Sequence, residues 1–341
     1  MTEEIRSLLP PSLRQDWPVA RQEALGDRFG ARAWIEYVAG RGALAVLSRL
    51  PEGPREAAIG AFARFARRVD RSHSDGARDF LRTAFGPTAG ADEIEARLLQ
   101  AWRHFFRITI ESAGFARRVD FARLDDHLDG VHVHPDAERL RARGTGTIFV
   151  TAHVGDWELG PSVLAHVGFD PFYAVVKPPK NGPLSAHLQA LRESRGLRSL
   201  PRRGAMQHAS AVLRGGGCLG MVLDQRARVR PVFAPFFGRL ARCDRSAGVL
   251  MKRLRTPVLV GACYRTGPWR WRLSVPTVIH PEELADSDPE AIVGRLNREF
   301  EARILEQPDQ YLWLHDRYRG ATPEVLAAEE SRAATAPESG A

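Results

Sequence analysis

The chain has 341 residues, 44% hydrophobic and 26% charged, which is enough for one large core or two small ones and excludes a low-hydrophobicity disordered chain. Its formal net charge is +8, carried almost entirely by arginine, since its lysines are Lys177, Lys180 and Lys252. That surplus implies acidic partners such as phosphate groups or anionic lipid. No zinc-finger spacing, RNP-like aromatic motif or dense basic tail accompanies it, so a nucleic-acid binder is not expected.

In chain order, residues 1–30 form an N-terminal extension without a clear period. From 31 to 127 the periodicity is helical and marks an N-terminal, membrane-proximal region. Trp34 to Leu50 is apolar but carries Glu36, Arg41 and Arg49 together with Gly40 and Gly42, so it fails as a spanning helix. From Ile59 to Arg71, Ile59, Phe62, Phe65, Ala66 and Val69 share one helical face, and Arg64, Arg67, Arg68 and Arg71 the other. Such a basic amphipathic helix suits either a protein surface or an anionic membrane surface. Leu98 to Glu111 sets Trp102, Phe105, Phe106 and Ile110 at helical spacing, as a core helix would.

From about residue 130 short apolar runs alternate with helices, the pattern of an α/β sheet. Strands are expected at 147–152, 172–176, 218–223, 257–263 and 270–277. Helices are expected at 157–167, 183–195, 204–214, 244–254 and 289–306. The α/β core thus covers 128–320, and 321–341 has the composition of a disordered tail. Cys218, Cys243 and Cys263 are odd in number and show no C-x-x-C spacing, which argues against a disulfide framework or zinc cluster. His132 and His134 have no evident third metal ligand, and neither a G-x-S-x-G elbow nor a phosphate-cradling glycine loop follows a strand. The N-terminal residues lack the basic, apolar, small-residue order of a signal peptide, so none is expected.

The chemistry concentrates at Thr147–Leu159, where a β-type run ends in His153 and is followed by Gly155, Asp156 and Glu158. On a helix, residues five apart lie about 140° from each other, so His153 and Glu158 meet only across a turn, which Gly155 supplies. Glu158 would then enter the first turn of the next helix, accept one imidazole N–H and leave the other nitrogen as a base. Asp156 is the alternative partner. Asp224 and Gln225 close a second strand, and ligands of such sheets gather at strand C-termini.

Four segments in order, His153 to Glu158, Gly220 to Gln225, Pro235 to Gly238 and Gln310 to His315, resemble the lysophospholipid acyltransferase superfamily. Within it they resemble most the bacterial lipid A late (lauroyl/myristoyl) acyltransferases. The resemblance implies an α/β fold with a mostly parallel central sheet flanked by helices, and transfer of a fatty acyl chain from acyl carrier protein, or acyl-CoA, to a hydroxyl of a lipid A-like glycolipid. It implies His153 as base with Glu158, no metal and no organic cofactor. Substrate-binding candidates are Arg192 and Arg195, of which Arg192 better matches an arginine that relatives carry before a glycine, with Lys177, Arg228, Asp224 and Gln225. Asp224 and Gln225 are expected in supporting roles. Peripheral attachment at the cytoplasmic face of the bacterial inner membrane is expected as well. The chain departs from its relatives in Cys243-Asp244-Arg245-Ser246 and in Asp316, which leaves open another lipid acceptor, such as a phosphatidylinositol mannoside or a lysophospholipid. From the residues alone, a non-catalytic protein that binds anionic membranes or nucleic acid stays open too.

Overall fold

The computed structural model describes residues 30–176, 179–201 and 205–321. Four helices come first: α1 (Ala31–Leu47), α2 (Glu52–Val69), α3 (Arg71–Phe85) and α4 (Ala91–Arg118). Strand β1 (Leu128–Val133) and α5 (Pro135–Ala142) lead to β2 (Thr147–Thr151), α6 (Gly160–His166), β3 (Phe172–Val176), α7 (Gly182–Glu193), β4 (Arg198–Pro201), α8 (Ala205–Arg214) and β5 (Cys218–Val222). The hairpin of β6 (Val232–Phe236) and β7 (Arg239–Cys243), then α9 (Ser246–Leu254), β8 (Val258–Gly267), β9 (Arg270–Ile279) and α10 (Pro289–Glu306) complete the chain.

One seven-stranded sheet, ordered β1-β9-β8-β2-β5-β3-β4, forms the frame. Strands β8, β2, β5, β3 and β4 are mutually parallel, while β9 runs antiparallel to β8 and β1 runs parallel to β9. The expected mostly parallel α/β sheet is therefore present. Every residue of β2 is buried, because a parallel strand between two helical layers has no solvent face. Alternation then sorts its side chains: Ile148 and Val150 join a core with Val212, Leu250 and Phe300, whereas Phe149 joins one with Phe115, Phe172 and Trp271.

All five expected strands form, with β8 extending beyond 263 to Gly267. Strands β1 and β4 and the β6–β7 hairpin were not anticipated. The hairpin turns on Phe237 (φ 50°) and Gly238 (φ 75°), the pair of positive φ angles that a two-residue hairpin demands. Pro-Phe-Phe-Gly is thus a turn, and it is held by a bond from Phe237 N to Glu301 Oε1 (2.7 Å) and one from the Tyr318 hydroxyl to Phe236 O (2.7 Å). Phe80 of α3 packs edge-on to Trp313 (4.9 Å) and Tyr311 (5.9 Å), joining the helical layer to the C-terminal motif.

In α2 the apolar face splits. Ile59, Ala63 and Ala66 are buried, but Phe62, Phe65 and Val69 are exposed beside Arg64 and Arg68, and Arg67 is ion-paired with Glu95 (3.0 Å). The helix stops at Val69 because Asp70 caps α3, accepting a bond from His73 N (3.2 Å). The segment expected at 98–111 is the middle of the 28-residue α4. Glu111 of α4, fully buried, accepts from Arg265 of β8 (3.0 Å), an ion pair that ties the helical layer to the sheet. Burial pushes the Glu111 carboxyl up against the pull of Arg265.

Candidate active site

The site forms where β2 and β5 end. Thr151 pairs with Val222 in parallel register, so two residues further along each chain His153 and Asp224 arrive at matching positions. His153 Nδ1 lies 2.6 Å from Asp224 Oδ1, and His153 N donates to Oδ2 (3.1 Å). The Tyr311 hydroxyl donates to the same carboxylate. Burial alone raises the Asp224 carboxyl, but His153 and these hydrogen bonds outweigh it and bring the value down to about 2. With Nδ1–H given to a fixed anion, Nε2 is left as the basic nitrogen.

The backbone after His153 is pinned on both sides. Gly155 N donates to Gln310 O (2.8 Å), Asp156 N to Cys263 O (2.6 Å) and Leu312 N to His153 O (3.0 Å). Gly155 has φ 64°, and a Cβ there would stand 2.1 Å from Cys263 O, so glycine is required twice over. Gln310 bonds both backbone groups of Arg265 (2.9 Å each), and His315 Nε2 accepts from Arg226 N (3.0 Å). The Gln-Tyr-x-Trp-x-His segment is therefore the clamp that holds the histidine turn. Burial brings His315 down to about 4, keeping it neutral and able to accept.

Glu158 goes elsewhere. It sits in the turn before α6 rather than in that helix, and Arg192, at the end of α7, grips it through Nη2 (2.8 and 3.1 Å) and Nε (3.3 Å). No hydrogen bond joins Glu158 to His153. The expected contact fails because Gly155 carries the chain away from β5, whereas strand register delivers Asp224 directly. Asp156 is not the partner either: it accepts from Leu159 N (3.1 Å) and from the Trp271 indole (3.0 Å), and burial raises its carboxyl to about 7.

A cavity of about 470 Å³ opens over these groups, with His153, Glu158, Arg192, Gln225 and Arg226 on its polar side and Phe149, Phe172 and Leu219 deeper in the sheet. Trp157 packs edge-on to His153 (5.2 Å) and is backed by His104 (5.8 Å). Burial lowers His104 to about 3, so it stays neutral while bonding the Gly155 backbone.

Of the other candidates, Gln225 lines the cavity and Arg228 is exposed on the loop after β5. Arg195 is not a cavity residue. It donates to Ser112 O (3.3 Å) and lies over the rings of Phe115 (4.8 Å) and Phe121 (5.5 Å), tethering the end of α7 to α4. The helix ends at Glu193, so Arg195 lies in the turn that follows it and helical spacing no longer ties it to the face of Arg192. Lys177 lies outside the described residues. Tyr311, His315 and Trp157 were missed as site residues, although the first two belong to a motif already recognised.

A buried carboxylate fixing a histidine at the C-terminal edge of an α/β sheet, above a cavity with apolar lining, is an arrangement suited to an enzyme that moves protons during catalysis. The model of the bacterial lipid A biosynthesis acyltransferase family matches residues 29–320. The chain belongs to that family and is a transferase that acylates lipid A. It is similar to the lipid A biosynthesis palmitoleoyltransferase of Escherichia coli (strain K12), with 26% identity over 247 residues, 71% of this chain and 78% of the relative. The lipid A biosynthesis acyltransferase of Shigella flexneri shows the same identity and coverage.

Proposed function

We propose that His153 is the general base of acyl transfer from a thioester, on acyl carrier protein or coenzyme A, to a hydroxyl of a lipid A precursor. The observation that carries this is the His153–Asp224 pair, 2.6 Å apart, facing the cavity. Nε2 takes the proton of the acceptor hydroxyl as its oxygen attacks the thioester carbonyl. The tetrahedral adduct then collapses, the C–S bond breaks, and the imidazolium returns the proton to the leaving thiolate. Arg192 is the candidate donor to the oxyanion: Glu158 holds its Nε and Nη2, which leaves Nη1 for developing charge. The chemistry needs no metal and no organic cofactor. The apolar floor suits an acyl chain.

No described helix is long and apolar enough to cross a membrane. Attachment is assigned to the outward faces of α1 and α2, where Trp34, Ile35, Val38, Phe62, Phe65 and Val69 are exposed with Arg64 and Arg68, a composition fitted to an anionic bilayer surface. For an enzyme fed by a carrier protein, that surface is the cytoplasmic face of the inner membrane. The test is acyl transfer by the purified protein across a panel of acyl-carrier-protein and CoA donors and glycolipid, phosphatidylinositol mannoside and lysophospholipid acceptors. Transfer to a lipid A precursor that is lost in His153→Ala is the expected result; undiminished turnover in that variant refutes the base.

A further inference from the structure

Beyond Asp224 the chain runs through Arg226, Arg228 and Arg230 toward β6. Ala227 N donates to Arg242 O (3.1 Å), Arg226 Nη1 to Arg319 O (3.2 Å) and Arg242 Nη1 to Gly320 O (3.4 Å). These bonds draw three pieces of backbone together: the loop after β5, the end of β7 and the segment that follows His315. The result is a crowd of like charges. After burial, the charges of Arg228 and Arg319 depress the Arg226 guanidinium, with Asp316 opposing them and Arg242 adding to them. Arg226 Nε is buried and makes no hydrogen bond. Among the described residues, neither Arg226, Arg228 nor Arg319 is ion-paired with a carboxylate, whereas Arg192 across the cavity is held by Glu158. Arg226 itself lines the cavity.

Cations gathered this closely repel one another and cost stability until an anion joins them. We propose that Arg226, Arg228 and Arg319 form a phosphate-binding site at the cavity rim, which takes a phosphate ester on the acceptor headgroup and thereby selects the hydroxyl that reaches His153. The proposal rests on the acyl-transfer reading above. A phosphate suits the site because it offers several strong acceptor oxygens to guanidinium groups arriving from two chain segments. Phosphate esters also occur on carrier-bound pantetheine and on membrane lipids. Position favours the acceptor: two residues of chain, at most about 7 Å, separate Arg226 from Asp224. A carrier's phosphate stands a full pantetheine arm away from its thioester.

The experiment uses the full chain, as wild type and as the Arg228→Ala/Arg319→Ala double variant. Steady-state transfer is measured with a phosphorylated glycolipid acceptor and with the same acceptor after phosphatase treatment. Calorimetric binding of both acceptors without donor, and sedimentation with phosphatidylglycerol vesicles, run in parallel. Wild type should prefer the phosphorylated acceptor, and the double variant should lose about 10- to 100-fold in KM and Kd for it, as expected for lost charged hydrogen bonds. The preference between the two acceptors should collapse while the donor KM holds. Equal wild-type affinity for both acceptors overturns the site. So does a loss confined to donor KM, or one confined to vesicle binding. If no donor supports transfer at all, the acyl-transfer reading fails, and the calorimetry still decides the phosphate site. Should the double variant not fold, Arg228→Gln, at an exposed position, carries the same comparison.

Discussion

The two walls of the cavity handle charge in opposite ways. On the wall built by the turn after β2 and the end of α7, Glu158 and Arg192 cancel each other through a bidentate ion pair. On the wall built by the end of β5 and the C-terminal segment, Asp224 gives its charge to His153, and Arg226, Arg228 and Arg319 have no carboxylate ion pair among the described residues. The first wall is preorganised and nearly neutral, whereas the second is a base beside a cationic rim. On the reading proposed above, the first wall presents Arg192 to developing charge, and the second holds the base together with the groups that recruit an anion.

The comparison breaks hardest at the base. His153→Ala should lower kcat by at least about 10²-fold, the low end for general-base catalysis, with circular dichroism unchanged. Asp224→Asn tests which wall serves the histidine. Because it removes the anion that fixes Nδ1–H, it should cost about 10²-fold, more than Glu158→Gln. If Glu158→Gln proves the more damaging, Glu158 acts on His153 during turnover, as the H-x-x-x-x-E spacing implies, and the geometry here is a resting one.

Next come the two members of the neutral wall. Arg192→Lys loses the fork that grips Glu158 and presents Nη1, so it should reduce kcat/KM by about tenfold, almost as much as Arg192→Ala. A loss in kcat points to developing charge and one in KM to ground-state binding. Near-wild-type activity in Arg192→Lys would show that a point charge is enough there. Farther out, Phe65→Asp on α2 should weaken sedimentation with anionic vesicles about tenfold and leave transfer to detergent-dispersed acceptor intact. Arg67→Lys, whose partner is Glu95, should change neither.

The smallest effect is one of pH. His315 has its folded value lowered to about 4 from an ordinary 6.5, so the unfolded chain takes up the proton first. Its contribution to stability is complete above about 6.5 and is lost as pH falls toward 4. His315→Gln keeps an acceptor for Arg226 N without titrating. It should flatten the fall in Tm across that range by on the order of a few degrees in calorimetry. An unchanged slope would mean that His104 or other groups dominate the acid limb.

Much of this was legible in the chain. The run Thr147–Thr151 announces a buried strand, and the α/β alternation fixes the fold class, because hydrophobic period is a local property. His153 and Asp224 were each visible as strand-end residues. The hairpin at 232–243 was not: Phe-Phe-Gly reads as turn chemistry, but β6 and β7 are five residues each and too short to show a period. The apolar stripe of α2 was visible too, yet sequence cannot tell which half of it meets the core.

What the sequence determined by itself is therefore the five central strands that it marks by their apolar runs, the glycine turn at Gly155 and the presence of a histidine with carboxylates near strand ends. Only the tertiary structure decided the pairing. Residues 153 and 224 are 71 apart, and they meet because Thr151 lies opposite Val222 in parallel register, a relation no local pattern records. The same holds for Glu158 with Arg192 and for the arginine rim. Charge partnership depends on distance in space, and it was the turn at Gly155 and the packing of α7 that set those distances.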